Sequence, residues 1–249
     1  MNPNAAHEPI IKIENLYKKY GDNVVLDGFN LNLYQGENLV IMGKSGSGKS
    51  VMIKCLIGLE IPDSGTIEIM SQKLEHLSLK ALDEIRADIG FLFQGSALYD
   101  SMTVRENLEF PLRRHLSKFG NVKDTLPLVE EALQNVGLKN VIDLMPNELS
   151  GGMKRRVALA RTLILKPKII IYDEPTTGLD PITSKEIILL MKSVQEKYKT
   201  SSIIITHDVD CARVIANRMI LLIDGKNYAE GTFAELSTSQ DPKVKAFFK

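Results

Sequence analysis

Gly43-Lys44-Ser45-Gly46-Ser47-Gly48-Lys49-Ser50 has the residue types and spacing of a phosphate cradle, GxxxxGK[ST]. Glycines let such a loop curl until its N–H groups converge, and the start of the following helix adds partial positive charge. Lys49 is placed to reach the β- and γ-phosphates of a nucleotide, and the Ser50 hydroxyl to ligate Mg²⁺. A second chemical pair, Asp173-Glu174, follows the apolar run Ile169-Ile170-Ile171-Tyr172. Acidic residues at the carboxyl end of a buried parallel strand sit where ligands of such sheets bind. Asp173 would hold Mg²⁺, through water, and Glu174 would polarise an attacking water as general base.

These residues need elements to hold them. Asn38 to Met42 is a compact apolar run before the phosphate loop and reads as a buried strand, with a helix expected over Ser50 to Leu59. Upstream, Ile10 to Leu33 contains alternating apolar runs broken by Gly21-Asp22-Asn23, and Thr66 to Met70 alternates again, so an N-terminal β region is expected. Ser101 to Gly152 is polar with apolar residues near helical spacing. The last hundred residues alternate: strand Ile169 to Tyr172, helix Pro181 to Lys199, strand Ser202 to Thr206, helix Val209 to Asn217, strand Arg218 to Ile223. That alternation predicts a parallel sheet covered on both faces, with the helical middle inserted into it.

Composition narrows the class. The 249 residues are 44% hydrophobic and 25% charged, an ordinary globular balance. Lys plus Arg (31) equals Asp plus Glu (31), which argues against a nucleic-acid binder. No apolar run exceeds five residues, against about 20 for a membrane span. Met1 to Pro9 shows no secretory pattern, and Cys55 and Cys211 form no CxxC pair, so a reducing compartment is expected.

Leu149-Ser150-Gly151-Gly152-Met153 precedes a basic helical run, Lys154 to Arg161. Ser-Gly-Gly alone reads as a helix cap with a hinge. Between the phosphate loop and Asp173-Glu174 it resembles the signature motif of ATP-binding cassette ATPases. The remaining motifs resemble that family in order. Gln94, after Gly90-Phe91-Leu92-Phe93, resembles the Q-loop glutamine, and Thr177-Gly178-Leu179-Asp180 the D-loop. His207 resembles the switch histidine, and Tyr20 the aromatic that stacks on adenine, with Tyr17 a competitor three residues earlier.

The resemblance covers the whole chain. It implies an α/β fold of the P-loop NTPase (RecA-like) type: a parallel-sheet core, an N-terminal antiparallel β region and an inserted α-helical subdomain at about 95–160, all in one domain spanning 1–249. It implies ATP and Mg²⁺ as cofactors. The nucleotide would contact Tyr20, residues 43–50, Val51 and Asp180, with Gln94 joining Ser50 and Asp173 as metal ligands and joining Lys49, Glu174 and His207 in catalysis. It also implies a homodimer in which Ser150, Gly151 and Gly152 of one subunit face the phosphate loop of the other. The partner would be an integral-membrane permease, whose short helix enters a groove beside Gln94, and the location the cytoplasmic side of the inner membrane.

Ala97-Leu98-Tyr99-Asp100-Ser101, the Thr103-Val104-x-Glu106-Asn107 run, Phe110-Pro111-Leu112-Arg113 and Met153 in place of the usual glutamine resemble ATPases of bacterial Mla-type lipid transporters. That resemblance adds an MCE-domain lipid-binding partner. The sequence stops soon after Phe247-Phe248, so a partner-wrapping tail is not expected. The basic run 154–161 reads as a solvated helix face packing on the catalytic core rather than a lipid contact. Rival classes are a cassette ATPase of translation or DNA repair, a transporter ATPase for amino acids or lipoproteins, and a cell-division partner.

Overall fold

A computed structural model describes residues 8–119 and 124–248; Met1 to His7, part of the segment read as lacking a secretory pattern, lie outside them. The chain forms two compact units, one of residues 1–86 and 201–249, the other of residues 87–200.

The first unit opens with β1 (Ile11–Tyr20), β2 (Asn23–Leu33) and β3 (Asn38–Met42), followed by α1 (Lys49–Leu56), β4 (Ser64–Ile69) and β5 (Gln72–Lys73). Helix α2 (Leu79–Ala87) leads out of it. The second unit holds β6 (Ile89–Leu92), α3 (Val104–His115), α4 (Leu126–Asn135), α5 (Gly151–Leu163), β7 (Ile169–Asp173) and α6 (Pro181–Tyr198). The chain returns to the first unit with β8 (Ser201–Ile205), α7 (Val209–Ile215), β9 (Arg218–Ile223), β10 (Lys226–Gly231), α8 (Phe233–Ser237) and α9 (Pro242–Lys245).

In the first unit β1 pairs antiparallel with both β2 and β4, through Ile13↔Leu31 and Ile13↔Ile67. The apolar residues Ile11, Ile13, Leu31, Leu33, Ile67 and Ile69 are all buried, as period-2 alternation requires of a one-sided sheet. Strand β3 lies between β8 and β9, parallel to each. It is buried along its whole length, which is why it reads as a continuous apolar run. A buried fork fixes its entry: Arg218 donates through Nε to Glu37 Oε1 (2.8 Å) and through Nη2 to Oε2 (3.0 Å). This bidentate pairing sets both the start of β9 and the turn before β3.

Several elements were not legible in the sequence. Strand β10 runs antiparallel on β9, so the sheet is not purely parallel. Its sequence, Lys-Asn-Tyr-Ala-Glu-Gly, alternates between exposed and half-buried and carries little apolar signal. Helix α1 stops at Leu56 rather than Leu59 because the chain turns at Gly58, φ +67°. Helix α7 stops at Ile215, since Ala216 is extended. In the second unit, β6 pairs parallel with β7 from Ile89↔Ile169 to Leu92↔Tyr172.

Candidate functional site

In the first unit the phosphate loop begins where β3 ends. Ser47 N–H donates to Lys44 C=O (3.1 Å), closing the loop on itself. Gly48 is the N-cap of α1, with φ +104° and no side-chain cap. The first N–H groups of α1 therefore receive no side-chain oxygen from the cap, and no acidic residue stands in its first turn. Both features favour an anion there. A Cβ on Gly48 would lie 2.7 Å from Val25 C=O, so only glycine fits. Lys49 Nζ donates to Gly43 C=O (2.7 Å) and Lys44 C=O (3.0 Å), which lays its ammonium along the loop. Val24, Val25, Lys44, Ser45, Gly46 and Ser47 line part of a cavity of about 560 Å³, a size that suits a nucleotide-like ligand.

Register places His207 near the same end of the sheet. Ile41 of β3 opposes Ile205 of β8, and Gly43 and His207 each lie two residues beyond that pair. His207 is exposed, and Asp208 caps α7 behind it by accepting from the N–H of Asp210 and Cys211 (2.9 and 3.0 Å). Tyr20 ends β1 and is 45% exposed, whereas Tyr17 opposes Ser64 and is half-buried. The Tyr20 hydroxyl donates to Glu60 Oε1 (2.6 Å), which pushes its pKa up to about 12. Neither tyrosine lines the cavity.

The second unit gathers the other residues. Gln94 and Glu174 each stand two residues past the Leu92↔Tyr172 pair, so Gln94 and the acidic pair leave adjacent parallel strands at one edge. Gln94 is exposed and Asp173 and Glu174 are half-buried. Glu174 holds φ +47°, a left-handed conformation that costs of order 1–3 kcal/mol for a non-glycine residue and clusters at functional sites. Its Oε2 accepts from the Thr177 hydroxyl (3.2 Å).

Ser150 caps α5 by accepting from Met153 N–H (3.2 Å), with Gly151 exposed and Gly152 half-buried. Gly152 packs against α6, where an added Cβ would meet Thr183 Cγ2 at 2.8 Å. Asp180 caps α6, accepting from the N–H of Ile182 and Thr183 (both 3.0 Å) and from the Thr183 hydroxyl. These hydrogen bonds, the Thr183 hydroxyl first, hold its carboxyl below the usual carboxylate range. Thr183 thus joins the signature turn to the cap of α6.

The basic run 154–161 packs against its unit as expected but is less solvated than expected. Arg155 is 3% exposed, with Nη1 donating to Phe93 C=O (2.7 Å) and Nη2 to Thr177 C=O (3.3 Å). Arg161 donates to Ser96 C=O (3.1 Å), and its guanidinium carbon lies 5.7 Å from the centre of the Tyr99 ring. These arginines organise loops inside the unit and do not form a solvated face. Helical periodicity placed them on α5, but the two carbonyls that Arg155 binds lie 62 and 22 residues away in sequence, beyond any local signal.

Asn107 was also missed as a structural centre. Fully buried, it accepts from Tyr99 N–H (2.8 Å) and donates to the carbonyls of Tyr99, Met102 and Thr103. It holds the loop that frames an open groove of about 460 Å³, lined among others by Phe91, Phe93, Tyr99, Phe110 and Arg161. Phe93, Tyr99 and Phe110 are each at least 42% exposed there, an apolar patch of the kind that marks an interaction surface.

Among the described residues, no helix is long and apolar enough to cross a membrane, and no group of three or more His, Cys, Asp or Glu is placed to hold a metal.

Comparison with known proteins agrees with this geometry. The family model described as "ABC transporter" matches residues 26–177. The intermembrane phospholipid transport system ATP-binding protein MlaF of Haemophilus influenzae is 40% identical, the alignment covering 98% of this chain and 91% of that protein. The methionine import ATP-binding protein MetN of Campylobacter jejuni is 36% identical over 96% of this chain and 75% of that protein. The dimeric post-hydrolysis state of the ATP-binding cassette MJ0796, bound to ADP and Pi, superposes with a TM-score of 0.79 at 36% identity, covering 90% of this chain and 98% of that one. With the family model matched over residues 26–177 and the relatives over most of its length, the chain belongs to the ABC transporter family as an ATP-hydrolysing cassette subunit.

Proposed function

We propose that this ATPase energises transport of phospholipid between membranes through a separate integral-membrane permease, working with an MCE-domain lipid-binding protein on the cytoplasmic side of the inner membrane. The observation that carries it is the 40% identity to MlaF along nearly the full length of both chains. The equal numbers of basic and acidic residues support a partner other than nucleic acid. The aromatic groove beside Gln94 supports docking of a short permease helix. The whole chain, 1–249, acts as one cassette with a helical insertion at about 95–160.

The residues take these roles. Residues 43–48, Val51 and Tyr20 hold ATP, and Lys49 neutralises its β- and γ-phosphates. By the family resemblance, Ser50, Gln94 and Asp173 are the residues that would hold Mg²⁺. Their hydroxyl, amide and carboxylate oxygens suit that ion, which takes few protein ligands and completes its shell with phosphate and water. When bound, it neutralises charge on the phosphates. Glu174 accepts the proton of the attacking water, and His207 contacts the γ-phosphate end. Asp180 contacts the nucleotide, and Ser150, Gly151 and Gly152 serve the partner subunit of a homodimer; a dimer is the state named for the MJ0796 cassette.

Glu174→Gln is the direct test. Turnover should fall about 10²- to 10⁴-fold, the range of a lost general base, while ATP binding persists and light scattering shows a nucleotide-trapped dimer. Turnover at the unmodified rate removes Glu174 from this role. A second reading, import of methionine or another small solute, draws on the MetN relatives. Co-purification from native membranes separates the two: a permease together with an MCE-domain protein supports lipid transport, and a permease with a soluble solute-binding protein supports import.

A further inference from the structure

Arg155 is a buried cation on which no carboxylate acts among the described residues. Burial alone acts on its guanidinium, lowering its pKa, and its Nε is buried without an acceptor among the described residues. Burying a charge so incompletely compensated is costly, and an amide or an aliphatic side chain would fill the space at less cost. What the guanidinium adds is a planar fork whose two ends bind separate carbonyls in fixed geometry.

Both carbonyls lie on loops that carry proposed chemistry. Phe93 C=O belongs to the peptide that links Phe93 to Gln94. Thr177 C=O belongs to the peptide entering Gly178, between Glu174 and Asp180. Gly178 is exposed, has φ +81° and would meet nothing within 4 Å if given a Cβ, so the packing around it does not fix that peptide plane. The third attachment is Arg155 itself, in the second turn of the helix that Ser150 caps.

We propose that Arg155 is a positioning residue that ties the Gln94 loop, the Glu174–Asp180 turn and the signature end of α5 into one mechanical unit, so that a shift in any of them is imposed on the other two. The hydrogen bonds run from one rigid group to main chain, so the coupling does not depend on which nucleotide is bound. Its catalytic consequence rests on the roles proposed above for Gln94 and Glu174; the coupling itself does not.

The test uses the full-length chain with Arg155→Lys, which keeps the charge but supplies one point donor in place of a fork, and Arg155→Gln. Hydrogen exchange should show segments 93–96 and 176–180 losing protection together in both variants, with Arg155→Lys the milder. Turnover should fall about tenfold in Arg155→Gln, the effect of 1.4 kcal/mol lost from the transition state, and less in Arg155→Lys. Fluorescent-nucleotide affinity should stay within about twofold, since in an exposed nucleotide loop Arg155 has no part. If Arg155→Gln does not fold, Arg155→Lys with exchange as the readout decides alone. Unchanged exchange in either segment, or a fall in protection spread evenly over the chain, overturns the coupling. Coupled loss of protection with full turnover leaves the coupling standing and overturns instead the catalytic roles of the two loops.

Discussion

At the scale of single residues, backbone conformation distinguishes the glycines of the phosphate loop from one another. Gly48 combines φ +104° with a main-chain carbonyl where its Cβ would be, whereas Gly46, at φ +81°, has open space. Gly48→Ala should therefore lower stability by about 1–3 kcal/mol, the scale of a strained left-handed residue plus a clash. Gly46→Ala carries the conformational cost alone and should lower it less. Denaturant midpoints compare the two, and equal losses would show that the contact with Val25 does not matter. Nucleotide titration should also show weaker binding in Gly48→Ala, since the helix end it caps is the proposed anion site. Glu174 obeys the same logic without being glycine: a side chain is kept at φ +47° in the position where chemistry is proposed.

At the scale of elements, strand ends must be clamped if residues just past them are to be placed. In the second unit Asp88 does this for β6 and β7. Its backbone carbonyl accepts from Lys168 N–H (2.9 Å) and Ile169 N–H (3.2 Å), and its carboxylate pairs with Lys168 (3.0 Å) and Lys118. Partial burial opposes ionisation, but the two lysines prevail and hold the carboxyl below its usual range. A depressed folded-state pKa means stability that is present above the unfolded value, about 3.9, and lost as pH falls through the folded one. Asp88→Asn should thus be less stable near neutrality and show a shallower loss of stability below about pH 4. Thermal melts from pH 7 to 3 measure this, and parallel curves for the two proteins would exclude a role for Asp88 in the acid limb.

The elements most legible in the sequence were those buried on both faces or strongly capped. Strands β3 and β7 are continuous apolar runs, and α6 begins at a Pro whose preceding Asp180 is its cap. Strand β10 was missed because its neighbours bury only part of it, leaving a weak period for a single sequence to display.

At the scale of the whole molecule, no described helix can span a bilayer, and the groove of the second unit is the surface proposed for a membrane partner. Tyr99 and Phe110 stack with centroids 4.8 Å apart while both stay more than 40% exposed. Phe110→Asp should reduce recovery of the membrane partner in co-purification at least tenfold, since docking a phenylalanine contributes about 1.5–3 kcal/mol. Nucleotide binding by the purified chain should be unaffected. Undiminished recovery would move the docking surface elsewhere.

The sequence by itself determined the motifs from which phosphate, proton and metal roles are proposed, and that strands alternate with helices around them. Those signals are local, written in glycine spacing, apolar runs and caps. Only the tertiary structure decided that Arg155, Arg161 and Asn107 organise the loops bearing that chemistry, and that Asp88 clamps two strands. Arg155, Arg161 and Asp88 act on main-chain or charged groups far along the chain, and a contact made to a carbonyl, as by Asn107 within its own loop, leaves no mark on the identity of the residue that owns it.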